Sequence, residues 1–166
     1  MEKKDIDLFF KKDERAVKKV YEEYYHLLKS LSFSILNDEA SAQDCVQDTF
    51  LAALTSSNYV EKGYFKAYLC QICRHISLKR LEETSRNIPL DQDIATQEIN
   101  DNSLISFVRS KLDKDEYEIF VLKVVEKMKF KEIAKIYQVK ASSIKGKYYR
   151  ALKKLQAELS FEEEAK

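Results

Sequence analysis

Glycine and proline are scarce in this chain, and tryptophan is missing altogether. The 166 residues include two glycines and one proline. All-β folds need turn-forming residues at nearly every hairpin, so this scarcity argues against them. Lysine, glutamate, leucine and alanine instead fill long uninterrupted stretches, which is typical of helices. We therefore predict an all-α fold.

Long apolar runs and a secretion signal are also absent. No run approaches the roughly 18 apolar residues that suggest a membrane span. Residues 1–7 are mostly charged or polar, and no apolar h-region of the length that a signal peptide needs follows them. These features predict a cytoplasmic protein with no membrane insertion of its own.

The few cysteines do not make a disulfide framework. Cys45, Cys70 and Cys73 are an odd number in a chain that shows no secretion signal, so we predict reduced thiols. Cys70 and Cys73 form a C-x-x-C motif, but a structural zinc site needs four ligands, and only His75 lies nearby in the same predicted helix. We predict buried thiols, no metal and no cofactor.

Motifs that carry catalysis are missing as well. The sequence has no glycine-rich phosphate loop and no H-E-x-x-H motif, and its two histidines, His26 and His75, are far apart in the chain. No nucleophile, base and orienting group can be assigned from these residues. We therefore expect that the protein is not an enzyme.

Positive charge is concentrated in the C-terminal part, although the formal net charge is only +1. Residues 106–157 hold 14 lysines and arginines and 6 aspartates and glutamates, whereas residues 1–85 hold 13 and 14. This asymmetry suggests that the C-terminal part binds phosphate and that the N-terminal part binds something else.

An acidic segment at residues 83–103 divides the predicted helices into two groups. It contains the only proline, Pro89, and lacks a sustained amphipathic stripe. Four helices are predicted before it, at about residues 4–11, 13–34, 38–54 and 64–81. Four helices are predicted after it. The first covers residues 103–111, the second begins at the capping box of Asp113 and Glu116, and the last two lie within residues 130–155.

These groups predict two small helical domains and their connection. The N-terminal domain would cover residues 1–82, and the linker would cover residues 83–103. The C-terminal domain would cover residues 104–157, followed by an acidic tail at residues 158–166.

Residues 130–155 have the pattern of a helix-turn-helix. Ile133, Ala134 and Tyr137 share one face of a short helix, and a break follows at residues 138–141. The next helix has an apolar stripe of Ile144, Tyr148, Ala151, Leu152 and Leu155. Its other face is basic, as expected for a helix in the major groove of DNA. The candidate DNA-binding residues are Ser142, Ser143, Lys145, Gly146, Lys147, Tyr149, Arg150, Lys153 and Lys154.

Two residues depart from the usual helix-turn-helix pattern. Gln138 stands where such turns often have glycine. Gly146 lies inside the second helix, where glycine lowers helix stability by about 1 kcal/mol relative to alanine. Alternatively, this glycine permits close approach of the backbone to DNA. The alternative to a DNA-binding element is a solvated basic helix.

The helix that begins near Asp38 is predicted to carry a second functional surface. Val46, Phe50, Ala53 and Leu54 can pack inward. The other face has a stripe at spacing i, i+3, i+4 and i+7 that suits a basic helical partner. We number this third predicted helix, at about residues 38–54, as α3. We call the stripe, which consists of Asp44, Gln47, Asp48 and Leu51, the α3 stripe.

The motifs, in this order, resemble those of the sigma-70 family, in its extracytoplasmic-function (ECF) subfamily. DCVQDTF at residues 44–50 resembles the D-x-V-Q-[ED]-x-F signature of region 2, and VYEEYY at residues 20–25 resembles its opening helix. FKAYLCQICRH at residues 65–75 resembles F-R-A-W-L-x-x-I-A-R-N. Residues 86–90 resemble the start of the family's linker, and YRALKKL at residues 149–155 resembles the H-R-A-L-K-K-L that ends region 4.

The resemblance implies a sigma factor that binds core RNA polymerase and promoter DNA. In the family, the residues that match the α3 stripe dock on the β′ clamp helices, and region 4 reads the −35 element and touches the β flap. The linker threads toward the RNA exit channel. An anti-sigma factor is a candidate partner, because family members often have one.

The fourth helix and the loop before it would read and melt the −10 element. A melted strand is held by ring stacking and by cations along its backbone. The residues expected in this role are Tyr59, Lys62, Tyr64, Lys66, Arg74, His75 and Lys79. We expect Phe65 and Tyr68 to be core aromatics. This chain has His75, Lys79 and Tyr68 where the family usually has Asn, Asp and Trp.

Other protein classes remain as alternatives. A helix-turn-helix transcription regulator that is not a sigma subunit would use residues 1–81 for dimerisation or sensing, and it would bind duplex DNA without polymerase. An enzyme would need the catalytic residues that the sequence lacks. A helical scaffold would not need the basic C-terminal part.

Overall fold

The structure, a computed structural model, describes residues 1–56, 59, 62–87 and 104–164, with side chains described as far as residue 160. Within these ranges the chain is helical and contains no strand, which confirms the all-α prediction. The N-terminal module has helices α1 (Lys3–Phe10), α2 (Glu14–Leu36), α3 (Glu39–Thr55) and α4 (Phe65–Arg86). The C-terminal module has α5 (Leu104–Lys111), α6 (Lys114–Phe120), a π-helical segment (Val121–Val125), α7 (Phe130–Tyr137) and α8 (Ala141–Glu164).

Side-chain caps define the first turns of several helices. The Asp13 carboxylate accepts a hydrogen bond from the Ala16 backbone N–H at 3.0 Å, and Asp38 accepts one from Ser41 at 2.8 Å. The hydrogen bonds from Ser41 lower the pKa of Asp38. These bonds satisfy amides that have no partner within the helix, so both predicted helix starts are confirmed.

The predicted capping box of α6 is also present. The Glu116 backbone N–H donates to Asp113 Oδ1 at 2.9 Å, and the Asp113 N–H donates to Glu116 Oε2 at 3.2 Å. Each side chain satisfies the amide of the other residue. This reciprocal pair fixes the start of the helix that carries Asp115 and Glu118.

Helix α4 is longer than predicted and extends into the segment assigned to the linker. It ends at Arg86 rather than near residue 81, so residues 83–86 are helical. Polar residues are accommodated because Thr84 and Ser85 donate to carbonyls four residues earlier, at 3.0 and 2.9 Å. Ion pairs at i, i+4 add support on the surface. The rest of the predicted linker, residues 88–103, lies outside the described residues.

Helix α8 also exceeds its prediction. Its apolar stripe was expected to end at Leu155, yet the helix continues to Glu164, through most of the predicted acidic tail. Lys111 Nζ and Glu158 Oε2 lie 2.8 Å apart and connect α5 to the extended part of α8.

The N-terminal core lies among α2, α3 and α4. Leu28, Leu31, Val46 and Leu69 are fully buried there. The three cysteines are also buried and unpaired, as predicted. Burial raises the pKa of the Cys70 thiol and raises that of Cys73 to about 12. Both therefore remain uncharged and unreactive at neutral pH.

The two modules share this core. Apolar residues of the C-terminal module that join it are Ile119, Leu122, Met128, Ile133, Ala134, Ile136 and Ile144. Helix α7 packs on α4, while α6 and the π-helical segment pack on α2. A separate small cluster lies inside the C-terminal module, made by Val108, Leu112, Tyr117, Val121, Ala151 and Leu155. The modules are therefore helical units in close contact.

In the part of the chain that the structure describes, none of the helices is both long enough and apolar enough to cross a membrane.

Candidate functional site

The α3 stripe is exposed along its whole length, as its spacing predicts. Asp44, Gln47 and Asp48 are accessible, and the Leu51 side chain is 62% exposed. The opposite face packs inward through Val46, Phe50 and Ala53, with Leu54 partly buried. Two carboxylates and an apolar side chain are thus presented together on one side of α3.

Arg80 of α4 connects the two carboxylates of the stripe. Its Nη1 lies 3.2 Å from Asp44 Oδ2, and its Nη2 lies 3.2 Å from Asp48 Oδ2. Arg80 also donates to the Ser41 carbonyl at 3.3 Å. The sequence analysis missed Arg80, because a contact between residues 32 to 36 positions apart leaves no signal in helical periodicity.

The seven residues predicted to contact the −10 element lie in different environments. Lys62, His75 and Lys79 are exposed to solvent. The Tyr64 ring is half-exposed, and Lys135 of α7 places its Nζ 4.5 Å from the centre of that ring. This geometry is that of a cation–π contact between the two modules.

Tyr59 is not the exposed stacking ring that the sequence predicted. It stacks on Phe10 with ring centres 5.0 Å apart, and it lies 4.7 Å from Tyr68 and 5.5 Å from Phe65. Phe65 is buried and Tyr68 is partly buried, as expected of core aromatics. Helix α1, which supplies Phe10, packs over this cluster and leaves Tyr59 partly buried, so its contact with DNA stays a prediction.

Arg74 and Lys66, both predicted to contact DNA, are bound to carboxylates of the C-terminal module. Arg74 Nε donates to Glu118 Oε2 at 2.8 Å, and Arg74 Nη2 lies 3.5 Å from Asp115 Oδ1. Lys66 Nζ lies 3.5 Å from Glu132 Oε1. These two cations of α4 therefore face negative charge from α6 and α7.

Tyr137 completes the buried contact around Arg74. The Arg74 guanidinium lies 4.5 Å from the centre of the Tyr137 ring, and the Tyr137 hydroxyl donates to Glu118 Oε2 at 2.7 Å. Burial opposes the charge of Arg74, but attraction to Glu118 raises its pKa further above neutrality. Burial and the adjacent Glu118 also raise the pKa of Tyr137. Arg74 is therefore charged and Tyr137 protonated at neutral pH.

Gln71 is a further contact residue that the sequence analysis did not select. Its Nε2 donates to the Lys135 backbone carbonyl at 2.6 Å. Gln71 lies between Lys66 and Arg74 on α4, so a continuous row of α4 side chains is bound by the C-terminal module. We call this row, Lys66, Gln71 and Arg74, the α4 row.

The helix-turn-helix has the predicted arrangement. Helix α7 ends at Tyr137, and the next residue, Gln138, adopts the left-handed conformation with φ 54° and ψ 40°. The Val139 N–H donates to the Ala134 carbonyl at 3.0 Å. Ile133, Ala134, Ile144, Ala151 and Leu155 are buried, and Tyr137, Tyr148 and Leu152 are partly buried. The apolar faces of α7 and α8 are thus packed as their spacing predicted.

Two lysines on the basic face of α8 form ion pairs within the chain. Lys147 pairs with Asp115 at 2.7 Å, and Lys154 pairs with Glu116 at 2.7 Å. The remaining exposed residues on this face are Ser142, Ser143, Lys145, Tyr149, Arg150 and Lys153. The acidic start of α6 therefore neutralises two of the predicted DNA-binding lysines.

Gly146 is not required by packing within the chain. A Cβ at this position would meet only the Arg150 Nη1 atom, at an ordinary distance of 3.7 Å. An intramolecular clash therefore does not explain a helix-weakening residue here. Among the described residues, no group of three or more His, Cys, Asp or Glu side chains could hold a metal ion.

Comparison with known proteins finds the same two regions in the same order. The family model for sigma-70 region 2 matches residues 20–87, and a model for sigma-70 region 4 matches residues 110–155. The ECF RNA polymerase sigma factor SigM of Bacillus subtilis (strain 168) is 18% identical over 153 residues, which cover 86% of this chain and 94% of SigM.

Solved structures share the fold at low sequence identity. CnrH, in complex with the cytosolic domain of CnrY, superposes with a TM-score of 0.70 at 22% identity, over 93% of this chain and 94% of that chain. The sigma factor RpoE, in complex with the anti-sigma factor NepR from Bartonella quintana, gives 0.67 at 22% identity, over 86% and 96%.

Proposed function

The chain belongs to the ECF subfamily of the sigma-70 family, and on that premise we propose that it binds core RNA polymerase and directs it to promoters, without catalytic activity of its own. The observation that carries the proposal is the presence of region 2 at residues 20–87 and region 4 at residues 110–155, in that order. The N-terminal module then ends with α4 at Arg86, inside the predicted linker of residues 83–103, and the C-terminal module runs from residue 104 to the end of α8 at Glu164. We place the protein in the cytoplasm.

The α3 stripe is the proposed docking surface for core polymerase. It presents two carboxylates, the Gln47 amide and an exposed leucine, which suit a basic helical surface such as the β′ clamp helices. Arg80 holds Asp44 and Asp48 3.2 Å from its own nitrogens, so it orients both carboxylates before the partner arrives. Exposure of all four residues supports this assignment.

The face of α4 and the preceding turn are the proposed site for the −10 element. Tyr64 supplies a half-exposed ring, and Lys62, His75 and Lys79 supply exposed polar or cationic groups. Lys66 and Arg74 would add backbone contacts once freed from the C-terminal module. Tyr59 stays a predicted contact, although its ring packs within the aromatic cluster.

Helix α8 is the proposed reader of the −35 element. Ser142, Ser143, Lys145, Tyr149 and Arg150 lie on its exposed N-terminal half, where a recognition helix meets base edges. Lys153 lies farther along, where a cation meets the DNA backbone. Lys147 and Lys154 would join it by exchanging a carboxylate partner for a phosphate. The same C-terminal module would contact the β flap.

An anti-sigma polypeptide is the further partner we propose. The support is that two proteins with this fold were solved with such partners: CnrH with the cytosolic domain of CnrY, and RpoE with the anti-sigma factor NepR.

Reconstituted transcription tests the proposal against a regulator that is not a sigma subunit. Purified chain, core polymerase and genomic DNA fragments should give start sites that are absent with core alone. A sigma factor should bind a promoter fragment tightly only with core polymerase. Tight duplex binding by the free chain, with no core binding and no new transcript, would identify an ordinary helix-turn-helix regulator.

A further inference from the structure

Phe130, the first residue of α7, contacts the proposed reading face of α8. Its ring is partly buried, and its centre lies 5.4 Å from that of Tyr148 and 6.4 Å from that of Tyr149. The Nζ atom of Lys145 lies 5.9 Å from the same ring centre. One side chain of α7 therefore contacts two residues, Lys145 and Tyr149, that we propose to read the −35 element.

The Phe130 ring is also in contact with an anchored cation. Lys123, in the π-helical segment, places its Nζ 4.6 Å from the ring centre, within the range of a cation–π contact. The same ammonium donates to the Met128 carbonyl at 3.1 Å, and Met128 is fully buried. The ring thus connects the buried turn before α7 to side chains on the surface of α8.

Lys145 and Tyr149 need such a contact in order to have fixed positions. They lie one helical turn apart, and both are exposed to solvent. Lys147 and Lys154 are held by carboxylates, whereas Lys145 forms no ion pair with a described residue. A side chain that is ordered before DNA arrives loses less conformational entropy on binding. Contact with the Phe130 ring therefore favours DNA binding through one conformation.

Packing explains only part of this arrangement. Tyr148 packs against the shared core, and its contact with Phe130 serves that core. Tyr149 is 60% exposed, so the ring contact on that side buries little apolar area and contributes little to folding. The solvent-facing contacts of Phe130 are directed at residues with a proposed role in DNA binding.

We propose that Phe130 is a positioning residue of the −35 reader, which orders Lys145 and Tyr149 for contact with base edges. This proposal rests on the proposed function of α8. Phe130 acts through these two side chains and makes no contact with DNA itself. The sequence analysis did not select it, because contacts between α7 and α8 leave no signal in helical periodicity.

Removal of the ring tests the proposal in the complete holoenzyme. The templates are a promoter that the unmodified chain recognises and a panel of its single-base −35 variants. The readout is the ratio of transcription from the promoter to transcription from each variant. Phe130→Leu should lower this ratio about threefold at the positions that Lys145→Ala and Tyr149→Ala identify. Unchanged ratios at all of these positions would overturn the proposal.

Two further variants separate positioning from packing. Phe120 is another partly buried phenylalanine of the C-terminal module, but it packs on the separate small cluster there. Phe120→Leu should lower stability and leave the −35 ratios unchanged. Phe130→Tyr keeps the ring and should retain the ratios of the unmodified chain. If either variant lowered the ratios as much as Phe130→Leu does, the effect would come from packing and the proposal would fail.

A combined variant distinguishes positioning from direct contact with DNA. In a chain that already carries Lys145→Ala and Tyr149→Ala, Phe130→Leu should not change the −35 ratios further, because the side chains that the ring orders are missing. A further change at any position would mean that Phe130 acts on DNA by another route, which contradicts a positioning role.

Fluorinated phenylalanine at position 130 keeps the proposal testable if Phe130→Leu unfolds the module. Fluorine atoms on the ring preserve its shape but withdraw the negative charge from the face that attracts a cation. The −35 ratios at the positions identified by Lys145→Ala should fall stepwise as one, two and three fluorines are introduced. Equal ratios across the series would contradict the positioning of Lys145 by the ring.

The unmodified chain and the α8 variants, measured in parallel, distinguish the two failures. If the chain directs transcription and the α8 variants change the −35 ratios, but the Phe130 variants do not, only the positioning role is wrong. If neither Lys145→Ala nor Tyr149→Ala changes a ratio, the ring has nothing to position and the proposal also fails. If the chain directs no specific transcription, the proposed function is wrong.

Discussion

Two surfaces of the N-terminal module differ in what lies against them. The α3 stripe is open to solvent, and among the described residues its carboxylates pair with Arg80 of the same module. The α4 row lies under the C-terminal module and donates to its carboxylates and to a backbone carbonyl. The N-terminal module therefore presents the α3 stripe to solvent, while its α4 row is occupied by the C-terminal module.

The difference follows from where charge and apolar surface coincide. Around the α4 row, cations border a patch of core that Ile133, Ile136 and Ile119 help to cover. Burial of apolar area there is favourable, and it places the cations of α4 next to the carboxylates of α6 and α7. The α3 stripe has a single exposed leucine and no such apolar border, so nothing within the described chain is driven to cover it. An open surface of this kind is suited to a first encounter with a partner.

Truncation of a side chain in the core that the two modules share should have the largest effect on stability. Ile133 is fully buried in it, and Ile133→Ala should lower the free energy of unfolding by about 2–5 kcal/mol. Both modules should lose structure in one urea transition, because they bury this side chain together. Circular dichroism reports the helices, and labelling of the buried thiols reports the N-terminal module. Thiol labelling that stays unchanged while helicity falls would show that the modules unfold independently.

Charge reversal on the open surface should come next. Asp48→Lys should weaken binding of core polymerase about a hundredfold, since it places a cation beside Arg80 and toward a basic partner. Helical content should not change, because Asp48 is exposed. The measurement is competition with a labelled sigma factor for core. Glu22→Lys, at an exposed position on α2, is the matched control. Equal losses for both variants would remove the α3 stripe from the interface.

Substitutions on α8 should separate base contacts from backbone contacts. Arg150 is exposed on the proposed reading face, and if it makes a bidentate base contact, Arg150→Ala should cost about 1–3 kcal/mol and relax preference at one or two −35 positions. Lys153→Ala should weaken all promoters alike and reduce the salt dependence. Transcription on single-base −35 variants at two salt concentrations measures both. Identical promoter rankings for the parent and Arg150→Ala would exclude a base contact by Arg150.

A Lys154 variant adds a second comparison to the same experiment. It pairs with Glu116, which is itself part of the α6 capping box, so removal of Lys154 also leaves a buried carboxylate without its cation. We expect Lys154→Ala to lower the stability of the module as well as the affinity for DNA. Comparison with Lys153→Ala isolates the contribution of the backbone contact.

Residues governed by local rules were predicted well from the sequence. Asp13, Asp38 and the capping box at Asp113 are determined by neighbours three positions away, and the exposed α3 stripe follows from helical periodicity. The turn at Gln138 was also recognisable, because the two helices around it have apolar faces of the right length. Short-range physics is enough for these features.

Contacts between distant helices were not predictable in the same way. The bond between Arg74 and Glu118 joins residues 44 positions apart, and Arg80 reaches Asp44 from 36 positions away. The ring contact between Phe10 and Tyr59 was also missed, because nothing in the local sequence of Tyr59 reveals it. The end of α4 was missed because polar residues that bond back to helix carbonyls look like a loop in a periodicity analysis.

The smallest expected effect concerns the turn at Gln138. This turn joins α7, which packs on α4, to α8, whose proposed DNA-binding face is exposed. Gln138 has φ 54°, a left-handed conformation that costs a residue with a Cβ about 1–2 kcal/mol. Glycine removes that strain but costs more entropy on folding, so Gln138→Gly should gain about 0.5–1 kcal/mol in free energy of unfolding. Gln138→Ala removes the same side chain while it keeps the strain, and should give no gain. Urea denaturation followed by circular dichroism compares the three chains. If alanine stabilised the protein as much as glycine did, the gain would come from loss of the glutamine side chain, and backbone strain would not be its source.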